Sequence, residues 1–173
     1  MSKKRVLVPH DGSAFCRQIY PQIQSFLDPE KHELILLRVG ATQEGHVGAP
    51  PRPAGTDMSV LMYDTHQDAE FAAHPIYASQ EMESAAAVIR AELADDINTL
   101  EAAGFDVELA VRFGNDRGET IVEYVAERQI DLVAITTHWR RGLPRLIFGS
   151  VAQYLVSHIA IPVLMIAPKE DNN

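Results

Sequence analysis

The sequence predicts an α/β domain built on a five-stranded, mostly parallel, Rossmann-like open sheet with helices on both faces. Three observations carry this prediction. Short uninterrupted apolar runs recur along the chain, as in strands buried on both sides. Amphipathic stripes with a three-to-four-residue period separate them. The alternation of the two implies crossover connections and parallel pairing.

The first strand is Val6-Leu7-Val8, which ends in the turn Asp11-Gly12-Ser13. Ser13 is placed to cap the following helix. Phe15, Ile19, Ile23 and Phe26 form that helix's apolar stripe, and Pro21 inside it predicts a kink or break. Leu34-Ile35-Leu36-Leu37 is the second strand. The stretch at about 40–76 changes character: it holds Pro50, Pro51, Pro53, Gly45, Gly48 and Gly55, and it reads as a long loop excursion from a single domain spanning 1–173. Ser79 is the expected cap of the next helix. Met82, Ala86, Ile89, Leu93, Ile97 and Leu100 form its stripe, and Gly104 ends it. Val107 to Phe113 is the third strand. Asp116 and Glu119 have capping-box spacing before a helix faced by Ile121, Val122 and Val125. Leu132-Val133-Ala134-Ile135 is the fourth strand, a long turn runs from Thr136 to Phe148, Gly149-Ser150 opens a helix, and Val163-Leu164-Met165-Ile166 is the fifth strand.

Composition narrows the function classes. The chain has 173 residues and a formal net charge of −9. Such a surface repels phosphate backbones and anionic headgroups, so neither nucleic acid nor a membrane is an expected partner. The apolar run at the start stops at His10 and Asp11, too early for a signal peptide, and no stretch approaches the ~20 apolar residues of a membrane span. A cytoplasmic location is the expectation. Cys16 is the single cysteine; it reads as a buried small apolar residue, with a reactive thiol as the minor alternative. No metal site is expected, because the histidines of the excursion fit no standard ligand spacing.

Ligands in open α/β sheets collect beyond the carboxyl ends of the strands. The first such turn, Pro9 to Ser13, carries neither a dinucleotide fingerprint nor a Walker A loop. Asp11 there is open to two readings: acceptor for a base, ribose or cation, or turn residue bonded to nearby amides. At the fourth turn, the Gly149-Ser150 helix start suits an anion, with His138, Arg140, Arg141 and Arg145 upstream. A capped helix preceded by a solvated basic loop explains the same residues. No catalytic triad or hydrolytic set stands out, so binding rather than catalysis is the expectation.

These segments, taken in order, resemble the universal stress protein family. Arg5 to Ser13 resembles its opening strand and turn, Leu36 to Val39 its second strand, and Asp131 to Ile135, Thr137-His138 and Gly142 to Ala152, followed by Pro162-Val163-Leu164, its C-terminal signature. The resemblance implies a strand order 3-2-1-4-5 and a homodimer paired through the last strand, Val163–Ile166. It also implies that Asp11 and Val39 meet adenine and ribose, and Pro9, Gly12 and Ser13 of the same turn join them as candidate binding residues. Part of the family holds ATP phosphates with G-x2-G-x9-G-[ST]. Here those positions are Thr136, Trp139, Gly149 and Ser150, so only the second half matches. Side chains at 136 and 139 fill space that glycine leaves open to a phosphate. The expected function is that of a dimeric, cytoplasmic stress-response protein acting through binding, with weak or absent ATP affinity. The alternative is a module for ATP or another adenine nucleotide with slow hydrolysis, in which Trp139 turns away and His138, Arg140 and Arg141 join the helix start around the ligand. No cofactor is firmly implied.

Overall fold

The computed structural model describes residues 2–41, 75–137 and 149–167, with backbone alone for 75–82. The strands are β1 (Lys4–Pro9), β2 (His32–Gly40), β3 (Asp106–Phe113), β4 (Leu132–Thr136) and β5 (Val163–Ile166). The helices are α1 (Ala14–Arg17), α2 (Tyr20–Phe26), α3 (Pro75–Glu92), α4 (Ala94–Ala102), α5 (Arg117–Glu127) and α6 (Ser150–His158). The chain divides into two compact units, residues 1–42 with 89–173, and residues 43–88. The sheet and the cleft described below belong to the first. In the second, residues 75–88 form the amino-terminal part of α3.

All five strands pair in parallel, in the order β3-β2-β1-β4-β5. β1 is central: Val6 and Leu7 pair with Leu34 and Ile35 of β2 on one side and with Leu132 and Val133 of β4 on the other. Successive side chains of a strand point to opposite faces, so each apolar run feeds two cores. Leu7, Ile35 and Val133 pack with Ile121, Tyr124 and Leu155 beneath α5 and α6. Val6, Val8, Leu34 and Leu36 pack on the other face with Ile19, Ile23 and Leu100 of the α2–α4 layer. The two layers bury the central runs of β1, β2 and β4, which carry no polar alternation, whereas β3 at one edge alternates Asp106, Glu108 and Arg112 with apolar residues.

The helices follow the sequence with three departures. The first stripe breaks, but at Gln18–Ile19 rather than at Pro21, which sits in the first turn of α2 where its missing N–H is no loss. Phe26, expected on the buried stripe, is 69% exposed at the end of that helix. Ser79 is not a cap: α3 already begins at Pro75. The stripe that follows is shared by two helices, with fully buried Leu93 at the junction. Other caps form as expected. Ser13 Oγ accepts from the Cys16 N–H, Asp116 Oδ1 accepts from the Glu119 N–H at 3.0 Å, and the Gly104 N–H closes α4 on the Glu101 carbonyl.

One polar cluster ties α4 to α1 and α2. Asp96 is 2% exposed, and its carboxylate accepts from Arg17 Nε at 2.7 Å, Arg17 Nη2 at 3.1 Å and Tyr20 Oη at 3.0 Å. Burial alone would raise its pKa; the bonds from Arg17 and Tyr20 outweigh that and hold it below the usual carboxylate range. The Arg17 side chain is 40% exposed, which weakens the pair relative to a fully dry one.

Asp96→Ala therefore destabilises the fold by about 2–4 kcal/mol in urea unfolding at pH 7, because it strands the Tyr20 hydroxyl and the Arg17 fork. A loss under 1 kcal/mol would remove the cluster's role. The folded pKa lies below the unfolded value of about 4, so the contribution is complete above that value and fades as pH falls through it. Asp96→Asn should flatten the stability decline between about pH 5 and pH 3 relative to the unsubstituted protein.

Candidate functional site

β1 leads to β2 on one side and pairs with β4 on the other, so the connections diverge between β1 and β4. That divergence opens a crevice at the carboxyl ends of the strands. A cleft of about 220 Å³ lies there, lined by Pro9, His10, Asp11, Phe15, Cys16, Leu37, Val39, Arg117, Ile121, Ile135, Thr136, Thr137 and Gly149 to Ala152. Six residues expected at a site from the sequence thus meet in one cavity: Pro9, Asp11, Val39, Thr136, Gly149 and Ser150. Gly12 and Ser13 are not in its lining. His138, Trp139 and Arg140 lie outside the described residues, as do Arg141, Arg145 and the side chains of the 40–76 excursion beyond residue 41.

Gly12 and Ser13 instead shape the turn that presents Asp11. Gly12 has φ +87°, a left-handed conformation that glycine adopts without strain, and its N–H donates to His10 Nδ1 at 2.9 Å. A side chain at this position would also meet the Glu92 carboxylate. His10 is 3% exposed, and its ring stacks on Tyr20. Burial lowers its pKa, and acceptance of the Gly12 N–H places the remaining proton of the neutral ring on Nε2.

Asp11 is exposed, and its Oδ1 accepts from the Ser13 N–H at 2.9 Å and from the Cys16 thiol at 3.0 Å. The turn reading of Asp11 is therefore realised: the carboxylate is held by the Ser13 N–H, the Ser13 hydroxyl and the Cys16 thiol. Partial burial would raise the carboxyl's pKa, but the bonds from Ser13 and Cys16 hold it well below the ordinary range. Asp11 is thus a carboxylate at any physiological pH, an acceptor facing the cleft. Cys16 departs from the expectation of a buried apolar residue: it is half-buried, lines the cleft and donates to Asp11. Burial, then the bond to Asp11, pushes its pKa up, which opposes thiolate formation and the reactive-thiol alternative.

At the other wall, Thr136 Oγ1 donates to the Cys16 carbonyl at 3.3 Å, fastening the end of β4 to α1. Thr137 is 3% exposed; its N–H donates to the Ile166 carbonyl, and its Oγ1 accepts from the Gly149 N–H at 3.1 Å. Gly149 is the N-cap of α6, and its carbonyl accepts from the Gln153 N–H. The next amides, Ser150 to Ala152, belong to the turn whose N–H groups have no acceptor in their own helix, and all three residues line the cleft. Among the described residues, a Cβ on Gly149 would meet only Thr137 Oγ1, at an ordinary 3.9 Å. An anion fits such a helix start. Among the described residues, no cluster of three or more His, Cys, Asp or Glu side chains is arranged to hold a metal ion, and no helix is long and apolar enough to cross a membrane.

Sequence reasoning missed His10, Thr137 and Arg117 as members of the cleft. Thr137 had a signal, adjacency to a candidate. Arg117 had none, because the first residue of a helix reads only as part of a cap. A five-stranded parallel sheet in the order β3-β2-β1-β4-β5 with helices on both faces defines a Rossmann-like α/β domain. The chain belongs to the universal stress protein family, whose model matches residues 3–167. Three solved structures share the fold. A universal stress protein from Lactobacillus plantarum aligns with TM-score 0.61 at 16% identity, over 96% of this chain and 99% of its own. One from Arabidopsis thaliana with AMP bound aligns with TM-score 0.56 at 16% identity, over 98% and 94%. A universal stress protein in complex with cAMP aligns with TM-score 0.56 at 18% identity, over 96% and 98%. No curated protein matches the sequence.

The Asp11–Cys16 contact has a chemical consequence. Asp11→Asn keeps an oxygen for the Ser13 N–H but removes the negative charge beside the thiol. Alkylation of Cys16 by iodoacetamide at pH 8 should then accelerate about two- to fivefold. An unchanged rate in folded protein would mean that the thiol does not feel this carboxylate.

Proposed function

We propose that this protein is an adenine-nucleotide-binding member of its family, acting in a cytoplasmic stress response through binding rather than turnover. One observation carries the reading: Asp11 and Val39 from the first two strand ends and Ser150 from the α6 start line a single cleft. Asp11, ionised and lining the cleft, suits the hydroxyl or amino donors of a nucleoside. Leu37, Val39 and Ile135 supply apolar wall for a base. Ser150 and the amides after it suit a phosphate. Two universal stress proteins of this fold carry AMP or cAMP, which supports the same class of ligand here.

A second reading, binding of protein partners with little or no ATP affinity, is favoured by Thr136. Its side chain stands where the family's phosphate motif has glycine, and its hydroxyl is engaged with Cys16. Calorimetric titration with AMP and ATP separates the two. Low-micromolar binding of either nucleotide, weakened roughly two- to tenfold by Asp11→Asn and by Ser150→Ala with unchanged melting temperature, supports the first reading. Absence of binding to folded protein supports the second, and gain of ATP binding in Trp139→Gly would then locate the obstruction at the indole.

We also propose a homodimer paired through β5. Among the described residues this strand ends the sheet, so one row of its backbone groups has no partner strand there, and Val163 to Ile166 are apolar and half-buried. Exposed apolar edges of this kind favour pairing with another strand. Sedimentation at micromolar concentration should give twice the chain mass of 19.2 kDa; the monomer mass would overturn the proposal.

A further inference from the structure

Arg117 is the first residue of α5, after the N-cap Asp116. The amino end of a helix carries partial positive charge, so a cation in the first turn is electrostatically misplaced. Ion pairs offset the charge of most other described arginines: Arg5 with Glu33, Arg17 with Asp96, Arg38 with Glu92, Arg112 with Glu127 and Arg128 with Glu108. Arg117 makes no ion pair among the described residues, although the helix it begins carries Glu119 in the same turn. It lines the cleft together with Gly149 and Ser150. Gly118 holds the two helix starts close. A Cβ on this buried residue would come within 2.8 Å of the Tyr154 ring of α6, so only glycine allows this approach. A local rule broken at a cavity wall, with no compensating ion pair among the described residues, points to a group kept for a ligand.

We propose that Arg117 is a ligand-binding residue that recognises the anionic group of a nucleotide seated at the Gly149–Ser150 helix start. The inference rests on the nucleotide reading above and adds to it the residue that distinguishes a charged nucleotide from its uncharged nucleoside. The α6 amides and the Ser150 hydroxyl supply neutral donors; Arg117 supplies the full positive charge. Its guanidinium presents several donors in one plane, which suits the oxygens of a phosphoryl group. The cation stands at the exposed rim of the cleft. It therefore contacts the ligand at its solvent-facing, charged end, while the base sits against the apolar wall.

The test compares AMP with adenosine by calorimetry, using the full chain as the unsubstituted protein, Arg117→Gln and Arg117→Lys. AMP should bind the unsubstituted protein more tightly than adenosine. Arg117→Gln should weaken AMP about five- to tenfold and leave adenosine unchanged, so that the preference for charge collapses. Arg117→Lys should restore part of it. The melting temperature of Arg117→Gln should hold or rise, because a misplaced charge is removed. AMP binding that is unaffected by Arg117→Gln, or an equal loss for AMP and adenosine, overturns the role of Arg117 while leaving the nucleotide reading intact. Failure of both ligands to bind the unsubstituted protein overturns the nucleotide reading itself, and this inference with it.

Discussion

The two-sided pairing of β1 sets the position of everything around the cleft. Val6, Leu7 and Val8 are each at most 1% exposed, and the strand bonds to β2 and β4 at once. A strand held on both edges and both faces cannot slip by one residue without exchanging its two cores. Its last sheet bond, from the His10 N–H to the Leu37 carbonyl at 2.9 Å, fixes where the chain leaves the sheet. Asp11 is the next residue. Its position is thus inherited from the register of the most buried strand, and the positive φ of Gly12 turns the chain before it can run on over the strand ends. The opposite wall is anchored in the same way: the Thr137 N–H bonds to the Ile166 carbonyl beyond β4, and Thr137 Oγ1 then takes the Gly149 N–H. Each wall begins one or two residues past a strand, too short a length of chain for much freedom.

The same geometry gives groups that line the cleft structural duties as well. Asp11 spends Oδ1 on the Ser13 N–H and the Cys16 thiol, which orients the carboxylate. An acceptor held by two bonds before a ligand arrives loses little rotamer freedom on binding. Thr136 resolves differently. Its hydroxyl is turned to the Cys16 carbonyl, so the residue acts as a fastener between β4 and α1. The wall it forms is more rigid and less open than a glycine would make it. The cleft is therefore asymmetric: the Asp11 side is preorganised for donors, and the helix-start side is closed below by Thr136 and Thr137.

Much of this was legible from residue order. Apolar runs without alternation marked β1, β2, β4 and β5, while β3 was legible from its alternation, the pattern of an edge strand with a more exposed face. The order of the strands came only with the family resemblance, since periodicity says nothing about neighbours. Helix ends marked by Ser13, Gly104, Asp116 and Gly149 were legible because a cap is a local bond between residues two to four apart. What periodicity missed was long-range. The Arg17–Asp96 pair joins residues 79 apart, and no local signal relates them. Ser79 failed as a cap because cap chemistry is common in residues that lie inside helices, and Phe26 failed because a stripe's last member can run past the edge of the sheet. Arg117 was invisible for a sharper reason: its part in the cleft comes from the crossing of α5 beside α6, which Gly118 permits and sequence spacing does not express.

The charge of the protein sharpens the question of how an anion enters at all. A formal net charge of −9 repels an approaching nucleotide at long range. At physiological ionic strength this field decays over about 8 Å, so it slows the encounter more than it weakens the bound state. Within the cleft the balance reverses. The nearest groups on the phosphate side are the free amides of α6, the Ser150 hydroxyl and the Arg117 guanidinium, none of them negative. Asp11, the one carboxylate in the lining among the described residues, stands just past β1, while these donors gather at the starts of α5 and α6. A ligand that carries hydrogen-bond donors at one end and negative charge at the other matches this polarity in only one direction. For the nucleotide proposed above, this polarity would set the nucleoside end toward Asp11 and the phosphoryl end toward α6. An uncharged ligand would lack that second constraint and could sit either way round.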